Sequence, residues 1–344
     1  MLRRIASVSI SVSILTIGLF ACASPRTAPG NFNPGLNPAA NRAFNSQRSA
    51  QFGRLNTNWY ANLPGDQRSY YQPAQGKQGK ELFSSLHQII ERGQRTLSYG
   101  SARSFMYGNA DQVQRSNRRG LIASYSNMLI PGSGGNGNRY KEAGDANNDG
   151  KSGDSINCEH TWPQSFFNKR NPMKSDMHHL FPTLSKPNSM RNNHPIGMAN
   201  GIVVYTTSGG AKLGVVDKTG RHNPRDIKQW YNMPWNQQPH DIMRRDLQAT
   251  FEPPDSQKGN TARAMLYFYL RYYNDNIRQG AFKEDVYWDK QVKTYIQWAK
   301  ADPVDADERR RHEEVAQRQN NRNPFVDIPD LASLIGEQVF TEVF

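Results

Sequence analysis

Cysteine is almost missing from this chain. Two in 344 residues permit one disulfide at most, which excludes a disulfide-stapled scaffold. Charge is sparse as well, at 21% of residues, and the mean hydropathy of -0.81 reflects Asn, Gln, Ser, Gly and Tyr more than ionised groups. The N-terminal apolar run, Ile5 to Phe20, is too short and too broken by serines to cross a bilayer. Acidic residues are in deficit, 30 against 43 Lys and Arg, leaving a net charge of +13 and a pI near 9.7. That excess favours polyanionic partners through long-range attraction and does not bear on the fold. What is present is 36% hydrophobic content, enough at this length for one large core or two modest ones. There is no internal repeat.

The first 22 residues read as an export signal, with Arg3 and Arg4 ahead of the apolar run and small residues after it. Two processing patterns fit. Ala21-Cys22-Ala23 suits ordinary secretion, whereas Leu19-Phe20-Ala21-Cys22 resembles a bacterial lipobox that would place a lipid anchor on Cys22. Either way the chain is expected outside the cytoplasm, secreted or membrane-anchored, and losing Arg3 and Arg4 lowers +13 by two, to +11. Cys158 then has no intrachain partner. Residues 23–58, rich in Pro, Asn and Gly without period, predict a flexible tether, and residues 59–344 the ordered domain.

Within that domain, Leu82, Leu86, Ile89 and Ile90 recur at helical spacing up to Gly93. Strands are predicted at Leu121–Ser126 and Gly201–Thr207. The segment Asn260 to Tyr273 is the strongest helix, with Ala264, Leu266, Phe268 and Leu270 expected inside, and Val286–Trp298 and Pro303–Arg318 add two more. Helices dominate and strands are few, so the fold class is α+β, mainly helical with a small antiparallel sheet.

Chemistry concentrates in Asn157-Cys158-Glu159-His160-Thr161-Trp162-Pro163 and in Asp176-Met177-His178-His179-Leu180-Phe181-Pro182, followed by Asn188, Arg191, Asn192 and Asn193. Glu and Asn oxygens are hard ligands suited to Mg²⁺ or Ca²⁺. A histidine beside such an ion, with a pKa near neutrality, can take a proton from water, and a divalent cation stabilises charge on phosphate oxygens. There is a geometric condition: neighbours on a regular strand face opposite sides, so Glu159 and His160 share a site only where the strand ends. Trp162-Pro163 supplies that ending.

These residues resemble the endonuclease I family of ββα-metal (His-Me finger) nucleases, especially its bacterial extracellular members. The likeness rests on Cys158-Glu-His-Thr-Trp-Pro-Gln-Ser, on Asp176-Met-His-His-Leu-Phe-Pro with Asn188 twelve positions after Asp176, and on three later blocks. Those are Lys258-Gly-Asn-Thr-Ala-Arg-Ala-Met-Leu-Tyr, Asp302-Pro-Val-Asp and Asn321-Arg-Asn-Pro-Phe-Val-Asp, all in order. The resemblance implies a ββα-metal motif embedded in the fold. It also implies a metal-dependent, largely sequence-nonspecific endonuclease leaving 5′-phosphate ends on DNA, with RNA as a further substrate left open. His160 falls on the general base, Glu159 and Asn188 on the two protein ligands to Mg²⁺, with Mn²⁺ or Ca²⁺ as alternatives. An arginine in the family holds the phosphate; Arg170 is the candidate here, with Lys169 and Lys174 behind it. His179 stands where the family more often has Asn.

Rival readings accompany each feature. Cys158, His160, His178 and His179 would together suit zinc, but that leaves Glu159 and Asn188 without roles. Cys158 alone reads as a small buried strand residue. Asp145, Asn147, Asp149 and Asp154 resemble the opening of a calcium loop, equally a plain Asx-Gly turn. The Arg309–Arg311 run reads as a solvated helix face, and Trp230, Tyr231 and Trp235 as core or loop anchors. The alternative function is a non-catalytic surface lipoprotein that binds nucleic acid or calcium and needs neither Glu159 nor His160.

Overall fold

The computed structural model describes residues 58–115, 117–131 and 155–342. The signal over 1–22, the tether up to residue 57 and the Asp145–Asp154 loop lie outside these described residues. The helix expected from Leu82, Leu86, Ile89 and Ile90 is α1 (Gly79–Glu91), and all four side chains are buried. It ends ahead of Gly93, whose φ of +77° only glycine adopts freely. Next comes α2 (Tyr99–Phe105), capped by the Ser98 hydroxyl accepting from the Ser101 N–H at 3.1 Å.

Three small antiparallel sheets follow, where the sequence predicts one. The first holds β1 (Gln112–Arg115), β2 (Arg118–Ala123) and β3 (Met128–Pro131) in that order. The second pairs β4 (Ile156–His160) with β5 (Leu180–Leu184), and α3 (Ser185–Arg191) follows β5 directly. The third holds β6 (Ile202–Thr206), β7 (Lys212–Asp217) and β8 (Leu247–Glu252), with α4 (Pro224–Asn232) and α5 (His240–Asp246) inserted between its last two strands. Pro182 hides β5 from a periodicity reading, since a proline argues against an interior strand. It is tolerated because Pro182 sits opposite Cys158 and still offers its carbonyl to the Ser124 N–H at 2.9 Å.

The C-terminal half is helical: α6 (Asp255–Tyr272), α7 (Lys290–Ala301) and α8 (Ala306–Gln319). Ala264, Leu266, Phe268 and Leu270 are at most 1% exposed, although their spacing of two cannot share one helical face. α6 is buried all round, as a helix at the centre of a core must be. The long loop between β4 and β5 is fastened to this core. Trp162 stacks on Phe268 with centroids 5.2 Å apart, and its Nε1–H donates to the Ile277 carbonyl at 3.0 Å.

Asp176, in that loop, is 1% exposed and accepts from Gln94 at 3.0 Å, Tyr267 and Tyr272 at 2.8 Å, Gln319 at 2.9 Å and the His178 N–H at 3.0 Å. Burial by itself would push its carboxyl up. The His178 and His179 rings and the Gln319 and Tyr272 donors outweigh that and hold it below the usual carboxylate range. One carboxylate thus ties α6, α8 and the end of α1 to the loop that carries the motif.

Two surface expectations are corrected. Arg309 is exposed as expected, but Arg310 is only half-buried and donates to the Ala110 and Gln112 carbonyls, and Arg311 pairs with Asp111 at 2.7 Å, so these two clamp α8 onto the first sheet. Tyr231 is buried and Trp230 half-buried, but Trp235 is 67% exposed and anchors nothing in the core.

Candidate active site

β4 stops at His160, where the chain turns into Thr161-Trp162-Pro163. The strand ends where the geometric condition requires. Glu159 and His160, 2% and 5% exposed, line one open cleft of about 290 Å³ together with Tyr99, Asn188 and Asn193. Asn188 comes from the middle of α3, so the cleft is built from one strand end and one helix of a β4–β5–α3 unit.

The His160 ring is held firmly. Its Nε2–H donates to the Lys174 carbonyl at 3.0 Å, and the ring packs beside those of Tyr99 and His179. A carbonyl only accepts, so the proton of the neutral ring sits on Nε2 and Nδ1 carries the lone pair. Burial, with help from the neighbouring His179 ring, lowers the His160 pKa to about 3. The ring is therefore unprotonated at neutral pH, and its pKa lies below the near-neutral value expected from the sequence because burial disfavours the charged form.

Glu159 is braced by two groups the sequence reading gave no role. The Tyr125 hydroxyl, from the turn after β2, donates to Oε1 at 2.9 Å, and the Arg191 Nε lies 3.3 Å from the same oxygen. Both partners sit on Oε1, and Oε2 has no hydrogen bond among the described residues. Burial pushes this carboxyl up, against the pull of Arg191 and Tyr125. Arg191 stays cationic: it is 2% exposed and also donates to the His160 carbonyl at 3.2 Å, the Thr161 carbonyl and the Tyr287 hydroxyl at 2.9 Å. It lies one helical turn after Asn188, the spacing that puts both on one face of α3. That spacing was the available signal for Arg191. Tyr125 had none.

The other predicted site residues fall elsewhere. Arg170 is exposed, donates to the Phe167 and Asn276 carbonyls, and is not on the cleft wall. The local fold explains this, because Asn168 and Lys169 both take positive φ and turn the chain away just before it. Lys174 is brought nearer, with its ammonium 5.0 Å from the centroid of the Tyr99 ring that lines the cleft. Arg103 lies over the same ring at 4.7 Å. The zinc reading finds no support: His178 and His179 donate to the Asn321 and Met173 carbonyls, and Cys158 is a buried thiol pushed up to about 12 by its surroundings, burial first. Among the described residues, one group of three ligand atoms lies close enough for a metal, His312, Glu313 and Asp327. There the Arg322 guanidinium already pairs with both acids.

The family model for Endonuclease I matches residues 78–330. The chain belongs to the endonuclease I family. An extracellular ribonuclease of Bacillus subtilis (strain 168) is 30% identical over 282 residues, 78% of this chain and 79% of that protein. A second, from Bacillus amyloliquefaciens, is 28% identical over 283 residues and covers 78% of each. This endonuclease is accordingly an enzyme that cuts nucleic acid, and the mainly helical α+β architecture stands as expected.

Three buried rings give the endonuclease an acid sensitivity. Burial, the largest cause in each, lowers His160 and His178 to about 3 and His179 to about 4. The folded rings stay neutral while the unfolded chain protonates near its ordinary ~6.5, so stability is full above that pH and falls below it. The loss is about 1.4 kcal/mol per ring for each pH unit. Circular dichroism should show the fold giving way between about pH 6 and 4; an unchanged spectrum at about pH 4 contradicts this.

Proposed function

We propose that this endonuclease hydrolyses phosphodiester bonds in DNA and RNA by a metal-dependent route with His160 as general base. The observation that carries the reading is the convergence of Glu159, His160 and Asn188 on one open cleft. The donor set fits a hard divalent cation such as Mg²⁺: one Glu159 oxygen has no hydrogen bond among the described residues, and Asn188 adds a second oxygen from α3. When bound there, the ion would offset charge on the phosphate and the departing oxygen.

The protein's own residues account for the rest. His160 Nδ1 accepts a proton from water, whose oxygen attacks phosphorus as the bond to the 3′-oxygen breaks. The products are a 5′-phosphate and a 3′-hydroxyl, the latter taking its proton from solvent. The Lys174 carbonyl keeps the ring in the basic tautomer, and Arg191 with Tyr125 keeps Glu159 aimed and favours its ionised form against burial. Arg103 and Lys174 supply positive charge at the rim for the phosphate chain. The relatives named as extracellular ribonucleases support RNA as a substrate, and with the signal at residues 1–22 they support export, with Cys22 as the residue a lipid anchor would use.

Plasmid DNA and a structureless RNA should both be degraded by the full-length chain in Mg²⁺. Excess EDTA should stop the reaction and added Mg²⁺ restore it. Undiminished cleavage in EDTA would overturn the metal-dependent reading.

A further inference from the structure

Trp235 is out of place for a core aromatic. It is 67% exposed, and among the described residues no other aromatic side chain is exposed. Yet it is not loosely held. The His240 ring packs against the indole with centroids 4.1 Å apart, and the His240 Nε2–H donates to the Trp235 carbonyl at 2.7 Å. The loop closes on itself through Gln237 N–H to the Pro234 carbonyl at 2.9 Å and Gln238 Nε2 to the Met233 carbonyl at 3.0 Å. Pro234 and Pro239 flank the turn. A large apolar ring is thus displayed in water on a scaffold that leaves it little freedom to lose on binding.

The surroundings are basic. The turn before α4, α4 itself and α5 expose Lys218, Arg221, Arg225, Lys228, Arg244 and Arg245. Against these stand exposed Asp226 and Asp241, and Asp246, which is buried between Arg245 and His222. Flanking cations would follow a phosphate chain, while the indole offers a flat face that every base can stack on. The lobe is also joined to the active site. Tyr231 of α4 packs on His194 with centroids 6.2 Å apart, and His194 follows three residues after Arg191. Trp235, four residues past Tyr231, lies within about 14 Å of it along the chain.

We infer that Trp235, backed by His240, is a base-stacking platform that selects single-stranded nucleic acid a few nucleotides from the scissile bond. The inference rests on the cleft being a nuclease site, and it names the substrate form that site prefers. In a duplex the bases already stack on each other, and the platform has nothing to bind.

The test measures binding without cleavage, using full-length His160→Ala and His160→Ala/Trp235→Ala with a short oligothymidylate and a duplex of equal length at one salt concentration. Removal of the indole should weaken single-strand affinity roughly tenfold. Duplex affinity should change by less than about twofold, since phosphate contacts dominate there. Trp235→Phe should keep most of the single-strand affinity, and the tryptophan fluorescence quenched by oligothymidylate should shrink in the Ala variant. Equal single-strand affinity with and without the indole overturns the inference, and so does an equal loss on both substrates. Failure of the parent to bind either substrate would instead reject the nuclease reading on which it rests.

Discussion

His160→Ala should lower cleavage of DNA and RNA by about 10²–10⁴-fold, the usual contribution of a positioned general base. The ring has the placement and the tautomer for that role, while its burial works against its basicity. It is fixed by the Lys174 carbonyl and lies on the wall of the same cleft as Glu159 and Asn188. The variant should still fold and still bind oligonucleotide, because neither the Arg191 brace nor the Trp235 lobe needs the imidazole. Activity is measured as initial rates on plasmid, and folding by the thermal transition. A folded variant that cuts at the parent rate removes His160 from the mechanism and leaves the cleft without a base.

Arg191→Met should have the largest effect on stability, about 3–5 kcal/mol, because it strands a buried carboxylate without its partner. The guanidinium also holds the backbone at His160 and Thr161, so the strand end would loosen and cleavage would fall with it. Denaturant midpoints of Arg191→Met, Glu159→Gln and the double variant separate these effects. If the ion pair at 3.3 Å matters, the double variant should recover about 1–3 kcal/mol relative to the sum of the singles. Simple additivity would mean that the two side chains do not interact energetically.

The sequence went far toward the cleft because the motif is local. Glu159 and His160 are adjacent, the strand-ending Trp162-Pro163 follows at once, and Asn188 lies on a short helix. The buried helix α6 was equally visible, since an uninterrupted stretch of apolar and aromatic residues has few other places to go. Less visible were β1 and β3, four residues each and too short for a period to speak, and β5, which carries Pro182.

What the sequence by itself determined was the class of fold, the family and the stretch of chain that lines the cleft, because those follow from residue type and from spacings of one to four positions. The tertiary structure decided which side chains meet at the cleft. It carried Arg191 and Tyr125, 32 and 34 residues from Glu159, onto one carboxylate oxygen, and it turned Arg170 away. It also decided that Trp235 stays in water while Trp162 and Trp288 are buried. Pattern constrains neighbours on one helix or strand. Contacts between distant elements, and the exposure of any single aromatic, are set by how the whole core packs, and no local period encodes that.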